Sequence, residues 1–141
     1  MKVLITGGAG FIGSHLADKL VEMGCQVSII DNLSTGKLEN INPAVYHWNE
    51  DLNKIPIEDL ISYLKGVKYV FHLAAKTSVE ESIQNPTLYL NHNLYGMTKL
   101  LSACAKSGVK RFIFSSSSSV YGEATVVPTP ETIPTNPLSP Y

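Results

Sequence analysis
Charge is scarce in this chain. Charged residues make up 16% of the 141, and eleven Lys and Arg against twelve Asp and Glu leave a formal net charge of −1. No basic surface is therefore available to attract nucleic acid or anionic lipid, and neither is expected as a partner. Cysteine is rarer still. Cys25 and Cys104 form no C-x-x-C pair or ligand-spaced cluster, which argues against a disulfide framework or a thiolate metal centre. Both read as small core residues of a protein in a reducing compartment. The histidines His15, His47, His72 and His92 are scattered without metal-ligand spacing, so no metal site is expected. Long apolar runs are missing too, because the first apolar stretch breaks at Thr6-Gly7. That pattern excludes a signal peptide or membrane span there, and a cytoplasmic location is the expectation. No internal repeat is visible, and the length suits one domain with its own core.

Glycine, by contrast, is concentrated where it has a physical use. The run Lys2-Val3-Leu4-Ile5-Thr6 reads as a strand, glycines follow at 7, 8, 10 and 13, and apolar residues then recur at Phe11, Ile12, Leu16, Leu20 and Val21. This is a strand, a tight turn and a helix. Gly8, Gly10 and Gly13 match G-x-G-x-x-G, whose lack of side chains lets a pyrophosphate reach the amides at a helix N-terminus. Taken alone that match is weak, and it could be a plain turn. The signature also requires an acid ending the next strand, some 20 residues on, to bind the adenosine ribose. Gln26-Val27-Ser28-Ile29-Ile30-Asp31 supplies it. A dinucleotide is therefore the predicted ligand. The Asp31 carboxylate would repel a ribose 2′-phosphate, so NAD is favoured over NADP.

Further along, Asn32-Leu33-Ser34-Thr35-Gly36-Lys37 is a polar loop beside the adenosine end, and Ala44 to Trp48 reads as a third strand. Helical spacing predicts a helix over Ile57 to Leu64, and Val67 to Leu73 a fourth strand running into Ala74-Ala75. A short helix is expected from Ser78 to Gln84, then a long one from Pro86 to about Lys106 with Ser107-Gly108 as its stop. The stripe Tyr89, Leu90, Leu94, Met97 and Leu101 on it reads as core. Arg111 to Phe114 is a fifth strand, followed by five serines, Ser115 to Ser119, and from Val126 by a proline-interrupted extended tail. Alternating strands and helices imply a Rossmann-like α/β fold, a doubly wound parallel sheet of order 3-2-1-4-5. No sixth strand is legible, and the edge beside Arg111 to Ser115 is expected to lie open unless the tail or another chain covers it.

These stretches resemble the extended short-chain dehydrogenase/reductase family, in particular its NAD-dependent nucleotide-sugar epimerase branch. The resemblance rests on Thr6-Gly7-Gly8-Ala9-Gly10-Phe11-Ile12-Gly13, Asp31-Asn32-Leu33, Glu50-Asp51-Leu52, His72-Leu73-Ala74-Ala75, Asn93, Ser115-Ser116-Ser117 with Val120-Tyr121-Gly122, and Pro137-Leu138-Ser139-Pro140-Tyr141. The family's pattern counts the glycines as Gly7, Gly10 and Gly13. The resemblance implies cofactor contacts at Gly7, Gly10, Phe11, Ile12 and Gly13, at Asp31, Asn32, Leu33, Ser34, Thr35 and Gly36, at Asp51 and Leu52 near adenine, and at Leu73, Ala74 and Ala75. It further implies that Asn93 braces the strand ends, and that Ser117 and Tyr141 are catalytic.

In such enzymes the tyrosine phenolate takes a proton from a sugar hydroxyl while hydride passes from that carbon to NAD. A free tyrosine, pKa about 10, is only about 0.1% phenolate at pH 7. The family supplies help from a lysine four residues later, a position beyond Tyr141. The resemblance thus implies the N-terminal part of an epimerase, inactive by itself, with the substrate-binding part and nucleotide-sugar selectivity lying outside residues 1–141. Dehydratases of the family carry an Asp-Glu pair where this chain has Ser118 and Ser119, which favours an epimerase or simple reductase over a dehydratase. The alternatives are a non-catalytic NAD-binding remnant and another NAD-dependent sugar-nucleotide reductase or dehydratase. The family also forms homodimers through the long helix and a second helix that starts at its catalytic tyrosine.

Overall fold
The computed structural model describes residues 1–124 and 126–141. Five strands, β1 (Lys2–Thr6), β2 (Gln26–Ile30), β3 (Tyr46–Trp48), β4 (Val67–His72) and β5 (Arg111–Phe114), form one sheet of order β3-β2-β1-β4-β5. Every pairing is parallel. The predicted order is therefore the observed one, and β5 ends the sheet. β3 is two residues shorter than its apolar run suggests, because Ala44 and Val45 lead into the strand from a turn in which the Asn42 side chain accepts from Ala44 N–H.

Alternation along the strands divides the core between the two faces of the sheet. On one face Val3, Ile5, Val27 and Ile29 meet Ala17 and Leu20 of α1 (Phe11–Glu22). On the other, Leu4, Ile30 and Val70 meet Leu60 of α2 (Ile57–Tyr63) and Leu100, Ala103 and Cys104 of the last helix. Burial of these side chains stabilises the layers by about 1.5–3 kcal/mol per large residue. The arrangement is doubly wound, as its sequence predicts.

The long helix is not uniform. After α3 (Val79–Gln84), α4 (Pro86–Tyr89) runs into a π-helical turn over Leu90–Tyr95, and α5 (Gly96–Ser107) continues from it. The apolar stripe expected in the core is largely solvent-facing: Tyr89 is buried, but Leu90, Leu94 and Leu101 are exposed. Gly96, Leu100, Ala103 and Cys104 take the inward face instead. A π turn widens the helical repeat locally, which changes the phase of the residues after it. Among the described residues, no helix is long and apolar enough to cross a membrane, and no strand pairs with the outer edge of β5.

Candidate functional site
Thr6, Ile30 and His72 stand level at the carboxyl ends of β1, β2 and β4, and Phe114 pairs with His72 on β5. Strand order reverses at β1, so the crevice above it is where an open α/β sheet receives a ligand. The turn after β1 fills its base. Gly7 has φ +74°, and a Cβ there would lie 2.7 Å from Ala74 N, so the turn and the segment after β4 can approach only through glycine. At Gly13 a Cβ would overlap the Gly7 carbonyl oxygen, which fixes the first turn of α1 directly over the glycine turn.

The helix N-terminus so placed is open to an anion. Gly10 is its N-cap, no side chain caps it, and its first turn carries no acid. Ser14 N–H is the first to find a helical carbonyl, that of Gly10 at 3.0 Å, which leaves the amides of Phe11, Ile12 and Gly13 without intrahelical partners. Unpaired donors and the positive end of the helix dipole together favour a phosphate there. The Phe11 and Ile12 side chains stay exposed, so only their backbones border the turn.

Asp31 lies one residue past β2 and is half-buried. Its Oδ2 accepts from Ala9 N–H at 2.9 Å and its Oδ1 from Leu33 N–H at 2.8 Å. The carboxylate is thereby fixed against the glycine turn, with each oxygen keeping a lone pair for a further donor such as a ribose hydroxyl. Leu33 adopts left-handed backbone (φ 57°) to present that amide. Such a conformation in a non-glycine residue costs about 1 kcal/mol or more and is typical of a ligand-binding loop. Ser116, in the loop after β5, is the other left-handed non-glycine residue among those described (φ 56°). Gly36 seats the 32–37 loop on Ala9, and the Ala9 carbonyl accepts from Lys37 N–H and from the Asn40 side chain.

The predicted residues thus divide into groups. Gly7, Gly10, Gly13, Asp31, Leu33, Gly36, Leu73 and Ala74 are joined by direct contacts around one turn. Asn32, Ser34 and Thr35 complete the loop, with Asn32 Oδ1 accepting from Ser34 N–H. Asn93 braces the neighbouring segment after Ala75: its side chain accepts from Lys76 N–H and donates to Lys76 O, both at 2.9 Å. Asp51 and Leu52 sit in the turn after β3, where Asp51 Oδ1 accepts from Asn53 N–H. Glu50, next to them, is engaged elsewhere, accepting from Tyr63 OH at 2.7 Å, and this bond pushes the tyrosine pKa up to about 12.

The two residues expected to be catalytic have different neighbours. Ser117 caps a short 3-10 turn, Ser118–Tyr121, and its Oγ accepts from Ser119 N–H. Tyr141 packs edge-on against Tyr89, ring centroids 6.3 Å apart. No hydrogen bond among the described residues joins Ser117 to Tyr141.

Two groups at the site are not foreseen by motif. Thr6 Oγ1 lies 2.6 Å from His72 Nδ1 and accepts from Ala74 N–H at 3.3 Å, tying β1, β4 and the segment after β4 together. Only the register of β1 with β4 reveals that pair. The second is a relay in which Lys76 meets Glu81 at 3.3 Å and Glu81 accepts from Tyr89 OH at 2.9 Å. The tyrosine and lysine hold the Glu81 carboxyl below its ordinary pKa.

Known proteins resemble this chain in sequence and fold. The UDP-glucose 4-epimerase of Corynebacterium glutamicum is 40% identical over 141 residues, which cover 100% of this chain and 42% of that protein. The crystal structure of a Thermotoga maritima UDP-glucose 4-epimerase with UDP-glucose matches with a TM-score of 0.92 at 45% identity, covering 100% of this chain and 46% of that one. A Thermus thermophilus UDP-glucose 4-epimerase complexed with NAD matches with a TM-score of 0.89 at 40% identity, again covering 100% and 46%. The chain spans less than half the length of each of these relatives. The likeness is continuous rather than confined to the glycine turn, since the family profile aligns with residues 3–141, and the chain belongs to the NAD dependent epimerase/dehydratase family.

Proposed function
We propose that residues 1–141 form the NAD-binding domain of a nucleotide-sugar 4-epimerase, with a UDP-linked hexose as the substrate of the complete enzyme. The observation that carries this reading is the uncapped N-terminus of α1 set over a side-chain-free turn, with the Asp31 carboxylate fixed beside it. These residues fit a dinucleotide. The amides of Phe11, Ile12 and Gly13 would hold the pyrophosphate, and Gly7 and Gly10 leave it room. Asp31 would accept from the adenosine ribose hydroxyls, flanked by Asn32, Leu33, Ser34, Thr35 and Gly36. Asp51 and Leu52 would meet adenine, while Leu73, Ala74 and Ala75 would border the centre of the cofactor. Asn93 keeps that border in place through Lys76.

Bound NAD supplies a reversible two-electron acceptor for a sugar carbon. This chain's own part in the reaction falls to Tyr141, which would take the proton from the sugar hydroxyl, and to Ser117, whose hydroxyl would bond the same oxygen. Positions 118 and 119 carry hydroxyls instead of carboxyls, so no general acid stands there to expel a leaving group, which supports epimerisation over dehydration. Relatives named for UDP-glucose 4-epimerase activity support the same choice.

The test joins residues 1–141 to the C-terminal portion of the Thermotoga maritima relative and follows interconversion of UDP-glucose and UDP-galactose. Turnover that Tyr141→Phe abolishes is the expected result. A chimera that binds NAD yet interconverts neither sugar would contradict the epimerase reading and leave a non-catalytic NAD-binding module.

A further inference from the structure
The turn after β3 is held from an unexpected direction. Its first carbonyl, Asp51 O, accepts from Lys54 N–H and Ile55 N–H in the manner of a single helical turn. Two further carbonyls of the turn, Asn53 O and Ile55 O, both receive the Lys99 ammonium from α5, at 2.8 and 2.7 Å. Lys99 is half-buried, its Nζ lies 5.6 Å from the Tyr95 ring centroid, and burial lowers its pKa while Asp51 acts to raise it. No salt bridge among the described residues includes it. Drawing an ammonium partly out of water to bond two carbonyls is a costly way to fasten a surface loop, unless the loop's position matters.

A second observation concerns the same contact. Asn53 Oδ1 is buried without a hydrogen-bond partner, while Asn53 Nδ2 lies 3.1 Å from His92 Nδ1. The oxygen is pressed against α5 where Gly96 provides no side chain, and a Cβ there would come within 2.7 Å of it. His92, Gly96 and Lys99 therefore present one face of the helix to the Asp51–Ile55 turn. The turn in turn sets Asp51, whose Oδ1 is occupied by Asn53 N–H, leaving Oδ2 for an outside donor.

We propose that Lys99, assisted by the missing side chain at Gly96, is a positioning residue for the adenine end of the dinucleotide site: its clamp on Asn53 O and Ile55 O fixes the turn from which Asp51 and Leu52 reach the base. This rests on the reading above that Asp51 and Leu52 meet adenine. Lys99 touches no cofactor; it acts through the turn.

The whole chain, as wild type, Lys99→Met, Lys99→Arg and Gly96→Ala, is titrated with NAD, and saturation-transfer NMR then compares adenine with nicotinamide protons on the bound cofactor. Lys99→Met should raise Kd roughly tenfold, the loss expected for one charge-assisted hydrogen bond, and Gly96→Ala should raise it in the same direction by pushing the added Cβ against Asn53 Oδ1. Transfer to the adenine protons should fall relative to nicotinamide, and Lys99→Arg, which can also donate to both carbonyls, should recover most of it. Thermal melts identify a variant that does not fold, in which case the remaining two carry the comparison. An unchanged Kd, or an equal loss of transfer at both ends of NAD, overturns the proposal. Wild-type protein that fails to bind NAD overturns the site reading instead, and with it the role of Lys99.

Discussion

Burial keeps His72 neutral: at 2% exposure its pKa falls from 6.5 to about 4. With Thr6 Oγ1 already accepting from Ala74 N–H, the consistent arrangement has the Thr6 hydroxyl donating to an unprotonated His72 Nδ1. The unfolded chain takes up a proton on this histidine near pH 6.5, the folded chain only near pH 4. The unfolded state therefore binds more protons between those values, and stability falls as pH drops through that window. The full effect is at most about 3 kcal/mol. His72→Gln keeps a polar partner for Thr6 but does not titrate. Thermal melts should show the wild-type Tm falling more steeply than that of His72→Gln as pH drops through this window; parallel curves would contradict the assignment. None of this pairing is readable along the sequence, because only the sheet register sets Thr6 beside His72.

The helical elements show where periodicity informs and where it stops. Spacing locates α1, α2 and α5, since apolar residues there recur at the helical period. It does not choose which stripe of the last helix faces the sheet. Leu90, Leu94 and Leu101 have the right spacing for a core face, but the π turn over Leu90–Tyr95 intervenes and the inward stripe of α5 begins at Gly96. Both unpaired thiols lie near helices, Cys104 on the inward face of α5 and Cys25 half-buried just beyond α1. Burial pushes the Cys104 thiol up to about 11, which leaves about 0.1% thiolate at pH 8. A thiol-reactive reagent on the native chain should therefore modify Cys25 well before Cys104, with the second thiol reacting only on unfolding. Equal rates by peptide mass mapping would mean that α5 is docked on another face.

At the scale of the whole molecule, strand order was legible because each strand is separated by a helical pattern or a loop and right-handed crossovers leave few arrangements. The glycine turn and Asp31 were legible for a different reason, namely that a strand, a turn and a helix N-terminus are local in sequence. The clamp on the Asp51–Ile55 turn was not, since Lys99 lies 46 residues from Asn53 and meets it only after α5 docks on the sheet. Among the described residues, the exposed Leu90, Leu94 and Leu101 and the outer edge of β5 are left uncovered. For the crevice above β1, the decisive measurement is calorimetric titration of the chain with NAD and with NADP. Unit charges about 4 Å apart near a protein surface repel by roughly 4 kcal/mol, so the Asp31 carboxylate should weaken NADP by at least about tenfold. One NAD should bind per chain, more tightly than NADP, with the preference lost in Asp31→Ala. No NAD binding, or equal affinity for the two cofactors, would rule out a dinucleotide site built around Asp31.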